Sequence, residues 1–277
     1  MKVSSKTKLN MVIGHPLEHS QSPVLHNAIY QLLGIDAVLL AQPHLQLKLL
    51  IQSIKTLSIE LTAVTLPYKE KVLKYIDQCS HEVTALRAAN TLIQRDEKIY
   101  GYNTDVDGIA FALRNTTVRG KQALIIGAGG AARAMGYFLK KNQAKLLLLN
   151  RTKKRAITLA KEFGGNVVRH DELNKIDINI IINTTPIGLY PHTNKSPLPD
   201  YAFNANQVVF DMIYNPINTQ LLKQAKKYQA KTISGLDMFI GQGLKQIELL
   251  TGKRTHTLSM IDKLRKILIQ NQRAIRL

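Results

Sequence analysis

Residues Gln122 to Ala134, QALIIGAGGAARA, constrain this chain more than any other stretch. Ala123 to Ile126 form an apolar run that reads as a buried parallel strand, and Ala131 to Lys140 reads as the helix that follows it. Between them Gly127, Gly129 and Ala132 keep the spacing G-x-G-x-x-A. Strand, glycine turn and helix in this order are the fingerprint of dinucleotide binding. The glycines permit a tight turn and let the backbone approach a pyrophosphate, which rests on the helix N-terminus.

A second apolar run, Lys145 to Leu149, ends at Asn150-Arg151-Thr152, with Lys153, Lys154 and Arg155 directly after it. At this strand end, roughly 20 residues beyond the glycine turn, an NAD site places an acidic residue on the ribose 2′-hydroxyl. A carboxylate would repel a 2′-phosphate, whereas a planar guanidinium binds one bidentately. Asn150 and Arg151 therefore point to NADP. A solvated basic loop is the plainer alternative for these residues.

At 277 residues the chain can hold two domains with cores of their own, and 45% hydrophobic with 21% charged residues is ordinary for a globular protein. No apolar run approaches the ~20 residues of a membrane span. The N-terminal MKVSSKTKLNMVIG lacks the apolar stretch of a signal peptide. The single cysteine, Cys79, allows no internal disulfide and no cysteine metal cluster, so a cytoplasmic location is expected. The eight histidines show no ligand spacing, and no metal is expected.

The net charge of +19 raises the separate class of a nucleic-acid binder. Such a binder would gather its lysines and arginines on one element with aromatics between them. Here they are scattered, apart from Lys153 to Arg155 and Lys263 to Lys266, and no tryptophan is present. A basic surface also attracts an anionic substrate and a phosphorylated cofactor, so charge alone does not choose.

Along the chain, Leu9 to Ile13 reads as a strand leading into GHPLEHSQSP at 14–23. Ser22 before Pro23 suits a helix start, serine as N-cap and proline at N1, with the helix running to about Leu33 and stopping at Gly34. Ser20 and Ser22 together could also bind a carboxylate beside that helix N-terminus. Ala37 to Ala41 reads as a strand and Leu45 to Leu57 as an amphipathic helix. The strand in LTAVTLPYK at 61–69 breaks into a proline turn before a new helix. Taken alone, Lys69 is a solvated first-turn lysine. Asn90 lies at the edge of the strand in TALRAANTLI. Thr104-x-x-Asp107 has the form of a capping box with aspartate in place of glutamate, and Asp105 fits the first turn of a helix over 105–113. Further strands are expected near 178–182, 208–212 and 230–233, and helices over 235–250 and from about Leu258. Strands alternating with helices from Gln122 onward imply a right-handed, doubly wound parallel sheet.

Taken together, the motifs resemble the shikimate dehydrogenase family along nearly the whole chain. The resemblance rests on GHPLEHSQSP at 14–23, VTLPYK at 64–69, AANTL at 88–92, GYNTD at 101–105, GAGGAARA at 127–134 and NRTKKRA at 150–156. It continues through NTTPIG at 183–188, DMIYNP at 211–216 and GLDMFIGQ at 235–242. One departure is Ala63, where the family usually carries asparagine before Val-Thr.

The resemblance implies an α/β fold of two domains. Residues 1–104 plus 237–277 would form an α/β substrate domain, and residues 105–236 a doubly wound parallel-sheet (Rossmann) NADP domain. It implies Lys69 and Asp105 as the catalytic pair and Ser20 and Ser22 on the substrate carboxylate. Thr65, Asn90, Asp105, Tyr214 and Gln242 would meet the substrate hydroxyls or line the pocket. Gly127, Ala128, Gly129, Gly130 and Ala131 would cradle the pyrophosphate. Asn150, Arg151, Thr152 and Arg155 would surround the 2′-phosphate, with Met212 and Gly235 near the nicotinamide. The implied reaction is reversible NADPH reduction of 3-dehydroshikimate to shikimate, in a monomer or homodimer that binds neither nucleic acid nor membrane. The alternatives are a quinate/shikimate dehydrogenase of broader substrate and cofactor use, and a non-catalytic basic binding protein on the same fold.

Overall fold

The structure is a computed structural model and describes residues 3–254 and 257–274. The chain divides into two units, residues 1–107 with 242–277, and residues 108–241.

The first unit begins with strand β1 (Lys8–Gly14), whose MVIG end is wholly buried, followed by helix α1 (Ser22–Leu33). Gly34 ends α1 in the left-handed region at φ 66°, a conformation glycine adopts without steric cost. The start of α1 differs from expectation. Gln21, already near-helical at φ −86° and ψ −1°, flanks the helix, so Ser22 is its first residue and makes no side-chain cap bond. The Ser22 N–H instead donates to Ser20 Oγ at 3.4 Å.

Next come β2 (Ala37–Pro43), α2 (Leu47–Thr56) and β3 (Leu61–Val64). The helix anticipated after Lys69 is only a 3-10 turn, Lys71–Tyr75. Then follow β4 (Gln78–Cys79), α3 (His81–Leu86), β5 (Thr91–Arg95), β6 (Lys98–Tyr102) and α4 (Asp105–Ala112). The six strands lie in the order β2-β1-β3-β5-β6-β4. β1 runs parallel to β2 and β3, whereas β5 is antiparallel to both β3 and β6. Leu50, Ile51 and Ile54 of α2, spaced for one helical face, pack with Met11, Ile13, Val64, Val72 and Leu92 into one core.

In the second unit β7 (Gln122–Ile126), α5 (Gly130–Lys141), β8 (Lys145–Leu149), α6 (Lys153–Phe163) and β9 (Asn166–Val167) precede a 3-10 turn, His170–Lys175. β10 (Ile180–Asn183), β11 (Val208–Asp211), α7 (Gln220–Lys227) and β12 (Lys231–Ser234) follow. All six strands are parallel, in the order β12-β11-β10-β7-β8-β9. The order reverses between β7 and β10, the topological switch point where a doubly wound sheet takes its ligand. Strand ends fall within one or two residues of expectation, and β9 is an edge strand too short to show a period in the sequence. α8 (Gly235–Thr251) leads back into the first unit, where α9 (Leu258–Ala274) closes the described chain.

Candidate active site

In the first unit, Ile13 and Val64 are register partners of β1 and β3, so the segments leaving those strands run side by side. The His15 N–H donates to the Leu66 carbonyl at 3.0 Å. A Cβ on Gly14 would lie 2.5 Å from Thr65 Cγ2, so close approach requires glycine there. β5 is antiparallel and therefore begins at the edge where β3 ends. The Val64 N–H donates to the Asn90 carbonyl at 2.7 Å, Asn90 N–H to Tyr102 at 3.0 Å, and Ala89 N–H to the Lys69 carbonyl at 2.8 Å. The backbone carrying Lys69, Asn90 and Asp105 is thus tied together before any side chain is considered.

Their side chains meet as well. Lys69 Nζ lies 2.5 Å from Asp105 Oδ2, and Asn90 Nδ2 donates to Asp105 Oδ1 at 2.9 Å. Asn90 is buried, while the Lys69 and Asp105 side chains keep 28% and 17% exposure, open enough to receive a ligand. The Thr104 N–H donates to Asn90 Oδ1 at 2.7 Å, which settles the amide orientation and aims Nδ2 at the carboxylate. The Thr104 hydroxyl also turns inward to Asn90, at 3.1 Å, in place of the capping box anticipated at Thr104 and Asp107. Asn103 Oδ1 serves the helix start by accepting from the Asp105 N–H at 3.3 Å. Asn103, Thr104 and Thr91 are neighbours of the pair that reasoning from sequence did not single out for the site, although the first two lie within the GYNTD motif and Thr91 within AANTL.

Ser20 and Ser22, both half-buried, are joined to each other, and Thr65 is packed against Gly14. Among the described residues, no hydrogen bond joins these three side chains to the Lys69–Asp105 pair. Gln242 is buried on α8.

In the second unit, Gly127 has φ 115° and its N–H donates to the Leu149 carbonyl at 2.8 Å. A Cβ there would collide with the Thr184 hydroxyl oxygen, so both conformation and space call for glycine. Gly129 flanks the start of α5 without a side-chain cap, and nothing lies within 4 Å of where a Cβ on Gly129 or Gly130 would stand. Ala128 and Ala131 are half-buried beside them. This bare, open helix start suits a pyrophosphate. At the end of β8, Asn150 Nδ2 donates to the Thr152 carbonyl at 2.9 Å, and Thr152 flanks the start of α6. Arg151, Lys153, Lys154 and Arg155 are exposed, with no carboxylate in the run. The residues present therefore fit a phosphorylated dinucleotide.

Met212 begins the loop after β11, and a Cβ on Gly235 would collide with the Met212 carbonyl oxygen, so α8 can start there only with glycine. Tyr214 stacks on Phe239, ring centroids 4.7 Å apart, and desolvation pushes its phenol pKa up. Behind this loop lies a fully buried carboxylate. Asp211 accepts from Thr219 Oγ1 at 2.7 Å, Asn183 Nδ2 at 3.0 Å and the Ile213 N–H at 3.1 Å. Desolvation still outweighs these donors and raises its pKa to about 6. Among the described residues, no group of three or more His, Cys, Asp or Glu side chains could hold a metal, and no helix is long and apolar enough to cross a membrane.

Residues 12–92 match the family described as shikimate dehydrogenase substrate binding domain, and residues 110–191 match that described as shikimate/quinate 5-dehydrogenase. The chain is 40% identical over 262 residues to a shikimate dehydrogenase (NADP(+)) of Methanococcus maripaludis, covering 90% of this chain and 94% of that one. It is 40% identical over 282 residues to the Methanocaldococcus jannaschii enzyme of the same name, covering 95% and 100%. A crystal structure of shikimate dehydrogenase in complex with NADP+ superposes with a TM-score of 0.90 at 37% identity, covering 98% of this chain and 97% of that one. The Thermus thermophilus shikimate 5-dehydrogenase, solved with NADP(H) and shikimate, superposes at 0.84 with 32% identity, covering 94% and 99%.

Proposed function

The chain belongs to the shikimate dehydrogenase family, and on that premise we propose that it catalyses the reversible NADP-dependent reduction of 3-dehydroshikimate to shikimate in aromatic amino-acid biosynthesis. The observation that carries this reading is the Lys69–Asp105 ion pair with Asn90 on the other carboxylate oxygen. It is a proton-handling group beside an oriented carboxylate, the pair that carbonyl reduction calls for.

Bound NADP supplies the hydride chemistry. Reduction leaves negative charge on the substrate oxygen, and Lys69 stabilises that oxygen and gives it a proton. In the oxidising direction Lys69 takes the proton back. Asp105 accepts from Lys69 and holds it in one place, while Asn90 keeps Asp105 from turning away. Ser20 and Ser22, at the start of α1, offer two hydroxyls to the substrate carboxylate, and Thr65, Asn90, Tyr214 and Gln242 bind its hydroxyls or line the pocket. The glycine turn 127–131 takes the pyrophosphate, Asn150, Arg151, Thr152 and Arg155 take the 2′-phosphate, and Met212 and Gly235 border the nicotinamide. The first unit, residues 1–107 with 242–277, serves as the substrate domain and the second, residues 108–241, as the NADP domain, a few residues from the bounds 104 and 237 expected from the resemblance. The lone cysteine, Cys79, exposed and unbridged, suits the reducing cytoplasm.

The test is absorbance at 340 nm with shikimate and quinate, each offered with NADP+ and with NAD+. Turnover confined to shikimate with NADP+ is expected. Comparable rates with quinate or NAD+ would replace this reading with the broader quinate/shikimate activity, and no turnover in any combination would sink it.

A further inference from the structure

Behind Asn90 the hydrogen bonds do not stop. Thr91 Oγ1 donates to Asn90 Oδ1 at 2.8 Å, and Gln246 Nε2, from α8, donates to Thr91 Oγ1 at 2.8 Å. Gln246 Oε1 in turn lies 2.7 Å from His26 Nε2, and His26 Nδ1 lies 2.8 Å from the Ser22 carbonyl. All of Asn90, Thr91, Gln246 and His26 are at most 3% exposed.

The direction of donation follows from one group that has no choice. The Thr104 backbone N–H can only donate, so Asn90 Oδ1 accepts and Asn90 Nδ2 faces Asp105. The Thr91 hydroxyl then gives its proton to Asn90 Oδ1 and needs a donor of its own, which is the Gln246 amide. That leaves Gln246 Oε1 toward His26, whose Nε2–H fills it. Burial lowers the His26 pKa and favours the neutral ring, whereas the two oxygens at Ser22 and Gln246 both favour a proton on the nitrogen they face. Ala63 stands directly opposite Thr91 across β3 and β5 and brings no polar atom to that shared face. The Thr104 hydroxyl lies 3.2 Å from Thr91 Oγ1, but its proton goes to Asn90 Oδ1, which leaves the nearer Gln246 amide to donate to Thr91.

We propose that Gln246 is a positioning residue for the Lys69–Asp105 pair, acting through Thr91 and Asn90, with His26 fixing its amide. This rests on the proton-handling role proposed for that pair. From His26 Nε2 onward each bond points toward the Asp105 carboxylate, an alignment in which each donor is strengthened by the one behind it. His26 lies within α1, so the run joins that helix to the Lys69–Asp105 pair through side chains alone.

The experiment uses Gln246→Met, which keeps length and apolar bulk but removes both polar ends, and Thr91→Val, which replaces the hydroxyl with a methyl group. In shikimate oxidation at saturating substrates, each variant is expected to lower kcat about tenfold, with the KM for NADP+ unchanged. The double variant is expected to fall no further than the weaker single one, because both cut the same run. A second readout needs no turnover. The Asn90 side-chain amide in the 1H–15N spectrum of the free protein is expected to shift or broaden in both variants.

A folded Gln246→Met with kcat within about twofold of the parent overturns the proposal. So do losses that multiply in the double variant, or an Asn90 amide signal that does not move. A purely structural role would lower Tm and leave kcat alone. If Gln246→Met does not fold, Gln246→Glu takes its place beside Thr91→Val, keeping one acceptor for His26 while removing the donor to Thr91, with the same kcat and Asn90-amide readouts. A parent that fails to oxidise shikimate while the Asn90 signal still responds would overturn the functional reading and leave the positioning run standing.

Discussion

Asn90 Nδ2 donates to Asp105 Oδ1 at 2.9 Å, on the carboxylate oxygen that Lys69 does not use. The carboxylate is thereby held at both oxygens, and its plane is fixed while Lys69 stays partly exposed. A hydrogen bond to a charged group contributes about 1.5–3 kcal/mol. Asn90→Ala is accordingly expected to lower kcat roughly ten- to a hundredfold with NADP+ affinity preserved. Steady-state kinetics combined with a cofactor titration checks this, and an unchanged kcat would remove Asn90 from the positioning of Asp105.

Lys69→Ala should have the larger effect, because it removes the proposed proton carrier itself. General acid–base groups contribute about 10²- to 10⁴-fold, and a loss in kcat of that size is expected. The glycine turn proposed to take the pyrophosphate lies in another part of the chain, so NADP+ affinity should stay nearly intact. Near-normal turnover in this variant would sink the acid–base assignment.

Asp211 gives a pH-dependent prediction. Its folded pKa of about 6 lies above the ordinary 3.8, so its contribution to stability is fully present below about pH 3.8 and is lost as pH rises through 6. The difference of about 2 units corresponds to about 3 kcal/mol. Asp211→Asn keeps an acceptor for Asn183 and Ile213 and turns its amide to the Thr219 hydroxyl, which can rotate to accept. The stability of the parent relative to this variant should fall by about 2 kcal/mol between pH 4.5 and 7.5, the rest of the loss lying below pH 4.5. Asp107, raised by burial, acts in the same sense and His26, lowered by burial, in the opposite one, so only the parent-minus-variant difference isolates Asp211. Parallel Tm curves against pH for the two proteins would refute the assignment.

What could be read from the sequence was what is local in the chain. The β7–turn–α5 unit declared itself because strand, glycines and helix are contiguous, and Gly127 has the positive φ its motif implies. Lys69 and Asp105 were different. Each had an adequate local explanation as a first-turn residue, and only the family resemblance paired them before the fold brought them within 2.5 Å. Ser22 was misread as a cap because Gln21 enters the helical region one residue early, a backbone choice no side-chain preference announces. Gln246 was out of reach. On an amphipathic helix it reads as one more polar residue, and its partner Thr91 lies 155 residues away in sequence. Nothing in either segment alone records that meeting.

Arg151→Ala tests the cofactor argument. Arg151 is exposed at the end of β8, in a turn that Asn150 braces through the Thr152 carbonyl, so the substitution removes charge without disturbing a buried contact. A guanidinium on a 2′-phosphate makes charge-assisted bonds, each contributing about 1.5–3 kcal/mol, and NAD+ has no such phosphate to lose. The expected outcome is a Kd for NADP+ raised roughly ten- to a hundredfold, with that for NAD+ changed by less than about twofold. Raising the salt concentration should weaken NADP+ binding to the parent more than to the variant, because one exposed ion pair has gone. Isothermal titration with each nucleotide at two salt concentrations measures both effects. Equal losses for NADP+ and NAD+ would mean that Arg151 acts on the turn or on the shared part of the nucleotide, and the 2′-phosphate assignment would then pass to Arg155.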